Sequence, residues 1–230
     1  MDIQKNIAEI KANIAEACKA AGRNPDEVII TAAVKTQTKE TVCGLSGLIS
    51  DVGENRVQEF LGHYDAGLPF RWHFIGRLQT NKIKYLIGGG KNVLIHSLDR
   101  AGLAEEIDAV SKRRGVVTEC LVEVNIGGEE SKGGISPDCT AGFIASLAEY
   151  KNIKIKGLMS VMPNADGERL AEYYKTLRAL FDETKTAGGP NVDCVYLSAG
   201  MSNDYIAAIK YGANIVRLGT AIFGARSYAT

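Results

Sequence analysis

The sequence predicts a single (β/α)8 TIM barrel with an extra N-terminal helix and no C-terminal β domain. Three observations carry that expectation. Strand-like and helix-like runs alternate along the 230 residues, as parallel strands joined by crossover helices require. Eight strand-like runs can be counted, and a chain of this length suits a barrel for which about 250 residues is typical. No G-x-G-x-x-G occurs, which weakens the competing open, doubly wound sheet. No linker, low-complexity segment or internal repeat interrupts the chain, so residues 1–230 are expected to form one domain.

Residues 2–21 place Ile3, Ile7, Ile10 and Ile14 at spacings of 4, 3 and 4, a one-faced amphipathic helix that stops near Gly22. The strands are expected at 28–34 (VIITAAV), 48–52 (LISDV), 72–75 (WHFI) and 93–97 (VLIHS). Four more follow at 119–126 (ECLVEVNI), 155–161 (IKGLMSV), 194–198 (CVYLS) and 214–218 (NIVRL). Each of the first seven precedes a helix-compatible stretch, most clearly AGLAEEIDAVSKRRG (101–115) and GERLAEYYKTLRALFDETKTAGG (167–189). The tail GTAIFGARSYAT is too short for a full closing helix, so the N-terminal helix is expected to cover that gap.

Composition excludes several function classes. Lys+Arg and Asp+Glu are equal at 27 each, and no basic run is long enough to track a nucleic-acid backbone. The run KRR (112–114) falls at a helix end, where cations suit the macrodipole. No stretch approaches the roughly 20 apolar residues that cross a bilayer, and MDIQKNIAEI lacks a signal-peptide core. Neither a nucleic-acid nor a membrane partner is expected. The five cysteines (18, 43, 120, 139 and 194) are scattered without a C-x-x-C, a pattern of the reducing cytoplasm that argues against disulfides and structural zinc. His63, His73 and His96 show no H-x-x-x-H spacing, and no metal is expected.

The chemistry gathers at the strand ends, where barrels of this class carry their sites. The apolar run VIITAAV stops on Lys35. By the two-residue period, Ile29, Thr31, Ala33 and Lys35 share one face of strand 1, as Ile215, Arg217 and Gly219 do in strand 8. A lysine beside another cation and partly desolvated loses proton affinity and becomes a usable amine nucleophile. The alternatives are a solvated rim lysine and a barrel-end ion-pair arginine. SAGMSND (198–204) follows strand 7 and GTAIFG (219–224) follows strand 8, the loops with which barrels frequently bind phosphate. Ser202 is expected to cap the helix NDYIAAIKYG, Gly219 to let the backbone approach a ligand, and Thr220 to add a hydroxyl. Plain turns are the alternative. Lysine and cradle in one mouth suggest a phosphorylated aldehyde. GGGKN (88–92) departs from P-loop spacing. GGEESKGG (127–134) reads as an exposed loop whose Lys132 lies on the active face and is a weaker ligand candidate.

AAVKT, GENRVQE, WHFIGRLQTNK, SKGGI, GLMSV, SAGMSND and VRLGTAIFGAR, in order from residue 32 to 226, together resemble the pyridoxal 5′-phosphate homeostasis proteins. The resemblance implies a (β/α)8 barrel related to the N-terminal domain of alanine racemase, with pyridoxal 5′-phosphate bound as an internal aldimine. It implies Lys35 as the Schiff-base lysine and Asn55 lining the ring. Ser202, Gly219 and Thr220 would hold the phosphate, with Ser198 a nearby second choice, and Arg217 would face the pyridine nitrogen. Three positions depart from the usual pattern: Val34 where serine is common, Val52 where phenylalanine is usual, and SAGMS in place of SMGMS. Trp72 and His73 are expected to support the site, and Arg56 and Arg77 to lie at the surface or just behind the site residues.

The implied function is a cytoplasmic, monomeric carrier that keeps the cofactor in homeostasis without turnover and hands it to pyridoxal-phosphate-requiring apoenzymes. The alternatives are a racemase of the alanine racemase type and a cofactor-free Schiff-base aldolase. Arg217 discriminates, because an arginine at the pyridine nitrogen donates without giving up its proton. In alanine racemase the opposite-face acid/base is a tyrosine from a second domain and partner subunit. This sequence, ending four residues after Arg226, is expected to lack that domain.

Overall fold

The computed structural model describes residues 2–129 and 132–224. Eight parallel strands close into a barrel in sequential order. They are β1 (Ile29–Ala33), β2 (Asp51–Glu54), β3 (Arg71–Phe74), β4 (Val93–Leu98), β5 (Thr118–Glu123), β6 (Ile153–Met159), β7 (Val192–Ser198) and β8 (Ile215–Leu218). All eight expected strands are present. The second runs three residues later than LISDV suggested, because Leu48 is already used in a turn that donates its N–H to Leu45 O at 3.0 Å.

Helix α1 (Ile3–Ala20) begins where the Asp2 carboxylate accepts from Lys5 N–H at 3.0 Å, satisfying one of the first-turn donors. It buries Ile7, Ile10, Ile14 and Cys18. After β1 comes α2 (Lys39–Cys43), after β2 α3 (Val57–His63), and after β4 α4 (Ala101–Arg114). Gly115 ends α4 in the left-handed region at φ +65°, the usual C-terminal device, with Lys112, Arg113 and Arg114 in its last turn. Then follow α5 (Pro137–Ser146), α6 (Gly167–Ala187), α7 (Tyr205–Lys210) and α8 (Thr220–Phe223). The β3–β4 connection departs from expectation, with a 3-10 turn (Thr80–Tyr85) in place of an α-helix. Gly88, Gly89 and Gly90 all take positive φ just beyond it and divert the chain into β4. As the short tail suggested, α1 covers the gap after β8: Asn6 Nδ2 donates to Ile222 O at 2.8 Å and Asn13 Nδ2 to Tyr205 OH at 3.1 Å.

Two apolar layers hold the barrel. The larger lies between strands and helices, where Trp72 sits edge-on to Phe60 with ring centres 5.4 Å apart. The smaller fills the interior with Leu94, Leu121, Met159 and Ile215. Closure puts β8 beside β1 with Thr31 opposite Arg217. The register shifts where β6 meets β5 and again where it meets β7, both between Ile155 and Gly157. Gly157 has φ +144°, and a Cβ there would sit 1.8 Å from the Tyr196 carbonyl oxygen. Relief would require separating β6 from β7. Gly157→Ala should therefore lose about 3 kcal/mol or more of stability in urea unfolding, and a loss below about 0.5 kcal/mol would contradict this account of the shift.

Candidate functional site

A cavity of about 690 Å³ opens at the C-terminal ends of the strands. Lys35, Asn55, Lys132, Ser202, Arg217, Gly219 and Thr220 all line it. Thus one mouth collects Arg217 of β8 and residues from the segments that follow β1, β2, β5, β7 and β8.

Lys35 is held by a strained turn. Val34 N–H continues the ladder to Gly53 O at 3.0 Å, and Gln37 N–H then returns to Val34 O at 3.0 Å. Lys35 and Thr36 are the two central residues of the turn so closed. Thr36 has φ +67°, the one positive φ outside glycine among the described residues. Turns with a left-handed second central residue normally place glycine there, and a β-branched side chain costs about 1–3 kcal/mol. The strain falls beside the half-buried Lys35. Lys132 lies exposed on the same cavity, in an ion pair with Glu129 at 3.2 Å.

Asn55 follows β2, and its Oδ1 is buried with no protein hydrogen-bond partner. Such a group costs about 1–3 kcal/mol unless something supplies a donor. Its backbone is pressed against Gly76, where a Cβ would come within 2.2 Å of Asn55 O. The glycine of WHFIGR is therefore required by the position of Asn55.

Arg217 is 5% exposed and its guanidinium is fixed at three points. Nη1 donates to Ser198 O at 2.9 Å and to Ser198 Oγ at 2.7 Å, while Nη2 donates to Ser160 O at 2.9 Å. Burial lowers its pKa and the nearby Glu123 carboxylate opposes that shift, so the group stays cationic. Ser198 is fully buried and does not line the cavity; its hydroxyl contacts Arg217 and His96. Ser202 does not cap α7, as the sequence suggested. Asp204 takes that position, accepting from Met201 N–H at 2.6 Å and from Tyr174 OH at 2.7 Å. Ser202 Oγ instead reaches across to accept from Gly219 N–H at 3.3 Å and Ala221 N–H at 3.0 Å. A hydroxyl and backbone donors therefore converge at this corner of the cavity. Arg56 and Arg77 lie exposed, outside its lining.

Sequence reasoning passed over Glu123 and Asp99. A Cβ on Gly133 would sit 3.1 Å from Asp99 Oδ2 and 3.8 Å from Glu123 Oε2, so the two carboxylates are neighbours. Glu119, Leu121 and Glu123 share one face of β5 by alternation, which is the signal that could have found Glu123. Among the described residues no His/Cys/Asp/Glu group is arranged for a metal.

Burial and the Asp99 charge push the Glu123 carboxyl up from 4.5 to about 7, against the opposing pull of Arg217 and Arg77. As pH rises through that window the unfolded chain ionises first, the folded chain binds more protons, and stability falls. Glu123→Gln should therefore be more stable than the parent by about 1–3 kcal/mol at about pH 8. The gain should vanish near about pH 4, where the acid is neutral in both states. Urea unfolding at both pH values measures this, and an equal difference at each would contradict the assignment.

Comparison with known proteins places this geometry. Residues 6–227 match the family described as alanine racemase, N-terminal domain. The pyridoxal phosphate homeostasis protein of Aquifex aeolicus (strain VF5) is 43% identical over 236 aligned positions, covering 99% of this chain and 100% of the relative. The structure of PipY from Synechococcus elongatus PCC7942 without PLP is similar at 26% identity and a TM-score of 0.83, covering 97% of this chain and 100% of that one. The structure of PipY with PLP bound has the same fold, with a TM-score of 0.82 at 24% identity and the same coverage. Full-length similarity and the family match agree with the cavity built from β1 and β8: the chain belongs to the alanine racemase N-terminal-domain family, among the pyridoxal phosphate homeostasis proteins.

Proposed function

We propose that this protein binds pyridoxal 5′-phosphate through Lys35 and serves intracellular homeostasis of that cofactor as a carrier without enzymatic turnover, acting as one cytoplasmic domain. The observation that carries the proposal is the convergence of Lys35, Asn55, Arg217 and the Ser202–Gly219–Thr220 corner on a single cavity. The full-length relatives named as pyridoxal phosphate homeostasis proteins support it, as does the PipY structure with PLP bound.

The residues fit the group. The buried, unpartnered Asn55 Oδ1 lies at the cavity wall, where a bound ring substituent can supply the missing donor. The Ser202 hydroxyl, accepting from Gly219 and Ala221 N–H, keeps its own O–H to donate to a phosphate, and charge-assisted hydrogen bonds of that kind contribute about 1.5–3 kcal/mol each. Arg217, with Nε–H and one Nη2–H outside its three protein bonds, can donate toward the pyridine nitrogen. Bound pyridoxal phosphate supplies an aldehyde that condenses with an amine, releasing water, and a ring that delocalises negative charge. Lys35 supplies the amine. Arg217 donates without surrendering its proton, so it keeps the ring nitrogen unprotonated and the ring a weaker electron sink. That favours holding over turnover. Apoenzymes requiring pyridoxal phosphate are the proposed recipients, with the protein as a monomer. The free cysteines among the described residues agree with a reducing compartment, and no described helix is long and apolar enough to cross a membrane.

Borohydride reduction of the loaded protein, followed by peptide mapping, should place the pyridoxyl group on Lys35. Label found mainly on another lysine, Lys132 above all, would overturn the assignment.

A further inference from the structure

The barrel interior beneath the cavity carries a continuous line of polar side chains where apolar packing would be the default. Asp51 (β2), His73 (β3), His96 (β4), Ser198 (β7) and Arg217 (β8) follow one another across the barrel, each no more than 8% exposed. Arg217 Nη1 stands 2.7 Å from Ser198 Oγ, and Ser198 Oγ 3.1 Å from His96 Nδ1. His96 Nε2 stands 2.8 Å from His73 Nδ1, and His73 Nε2 2.8 Å from Asp51 Oδ1.

With Asp51 ionised and one proton on each ring, the two ends set the direction of the bonds between them. A guanidinium only donates, so Ser198 Oγ accepts from Arg217 and turns its own O–H to His96 Nδ1. His96 then carries its proton on Nε2 and donates to His73 Nδ1. His73 likewise carries its proton on Nε2 and donates to the Asp51 carboxylate, which only accepts when ionised. Reversing the sequence would need one further proton, on Asp51 or as a doubly protonated His73, with Ser198 Oγ accepting from both its neighbours. With each ring holding one proton, both ring nitrogens of His73 and His96 and the Ser198 hydroxyl have a partner. Complete burial lowers the pKa of both imidazoles, with His73, Arg217 and Arg71 lowering that of His96 further and Asp51 partly opposing at His73.

We propose that Asp51, His73 and His96 are positioning residues for Arg217: as neutral Nε2–H tautomers the two imidazoles hold the Ser198 hydroxyl, and through it the guanidinium, in one orientation under the cavity. Nothing in this relay requires a bound ligand. Its consequence for the cofactor rests on the proposed placement of Arg217 at the ring nitrogen: a guanidinium anchored from below presents a fixed donor, and loosening the anchor loosens that contact.

The first test is long-range ¹H–¹⁵N NMR of histidine-labelled protein freed of cofactor, with His73→Gln and His63→Gln for assignment. His73 and His96 should each show a protonated Nε2 and an unprotonated Nδ1. A doubly protonated His73, or an Nδ1–H tautomer at either ring, overturns the relay whatever the cofactor does. The second test cuts the relay with Ser198→Ala. In the unloaded variant His96 should lose its single tautomer while His73 keeps Nε2–H on Asp51. In the loaded variant the visible absorption maximum should move and pyridoxal phosphate should dissociate about tenfold faster, the size of one hydrogen bond to a charged group. A relay seen by NMR with unchanged absorption and dissociation in Ser198→Ala would overturn the positioning role. Failure of the cofactor to attach to Lys35 would instead sink the functional proposal and leave the relay standing.

Discussion

The pairing of β8 with β1 is the constraint on which the rest of the site depends. Ile29 lies opposite Ile215 and Thr31 opposite Arg217, so alternation turns Arg217 into the barrel one layer below the mouth. The same register brings Gly219 alongside Ala33, with a hypothetical Cβ 3.7 Å from the Ala33 side chain. Lys35 leaves β1 just above. A one-residue slip would turn Arg217 out among the helices and put Val216 inside. Helix α1 protects this seam by covering the region where α8 is short.

Placing an arginine in a barrel interior is expensive, and much of the surrounding polar structure exists to offset it. Removing a partner from a buried charge typically costs about 3–5 kcal/mol. Arg217 therefore comes with two serine carbonyls and a serine hydroxyl. The nearby Glu123 has its pKa raised by burial first and by Asp99 beside it second. The interior thus divides into an apolar layer of Leu94, Leu121, Met159 and Ile215 and polar positions that serve the mouth. Thr36 adds a local strain next to Lys35, which barrel closure and the Val34–Gln37 turn impose together.

Much of this was legible in the sequence. The alternation of runs gave the barrel, and the abrupt end of VIITAAV on a lysine marked the mouth. Arg217 followed from the same two-residue period. The parts that were not legible depend on tertiary contacts between distant segments. Ser202 looked like a local cap, but Asp204 closes its own turn and frees the Ser202 hydroxyl for Gly219 and Ala221. His96 sat in VLIHS with no spacing to another histidine, because its partners His73 and Ser198 come from other strands. The 3-10 turn after β3 was hidden because a glycine triplet stops a helix without announcing what replaces it.

The central claim is that these residues hold a reactive cofactor without using it. On the proposed placement, an accessible amine would exchange at Lys35, while Arg217 at the ring nitrogen would disfavour the protonated ring that carrying an amino acid further requires. The most direct measurement is incubation of the loaded protein with L- or D-alanine, following the visible spectrum and the optical purity together. The account predicts a spectral change without appreciable loss of optical purity. Racemisation at roughly 1 s⁻¹ or faster, within the usual range of enzymes, would contradict it.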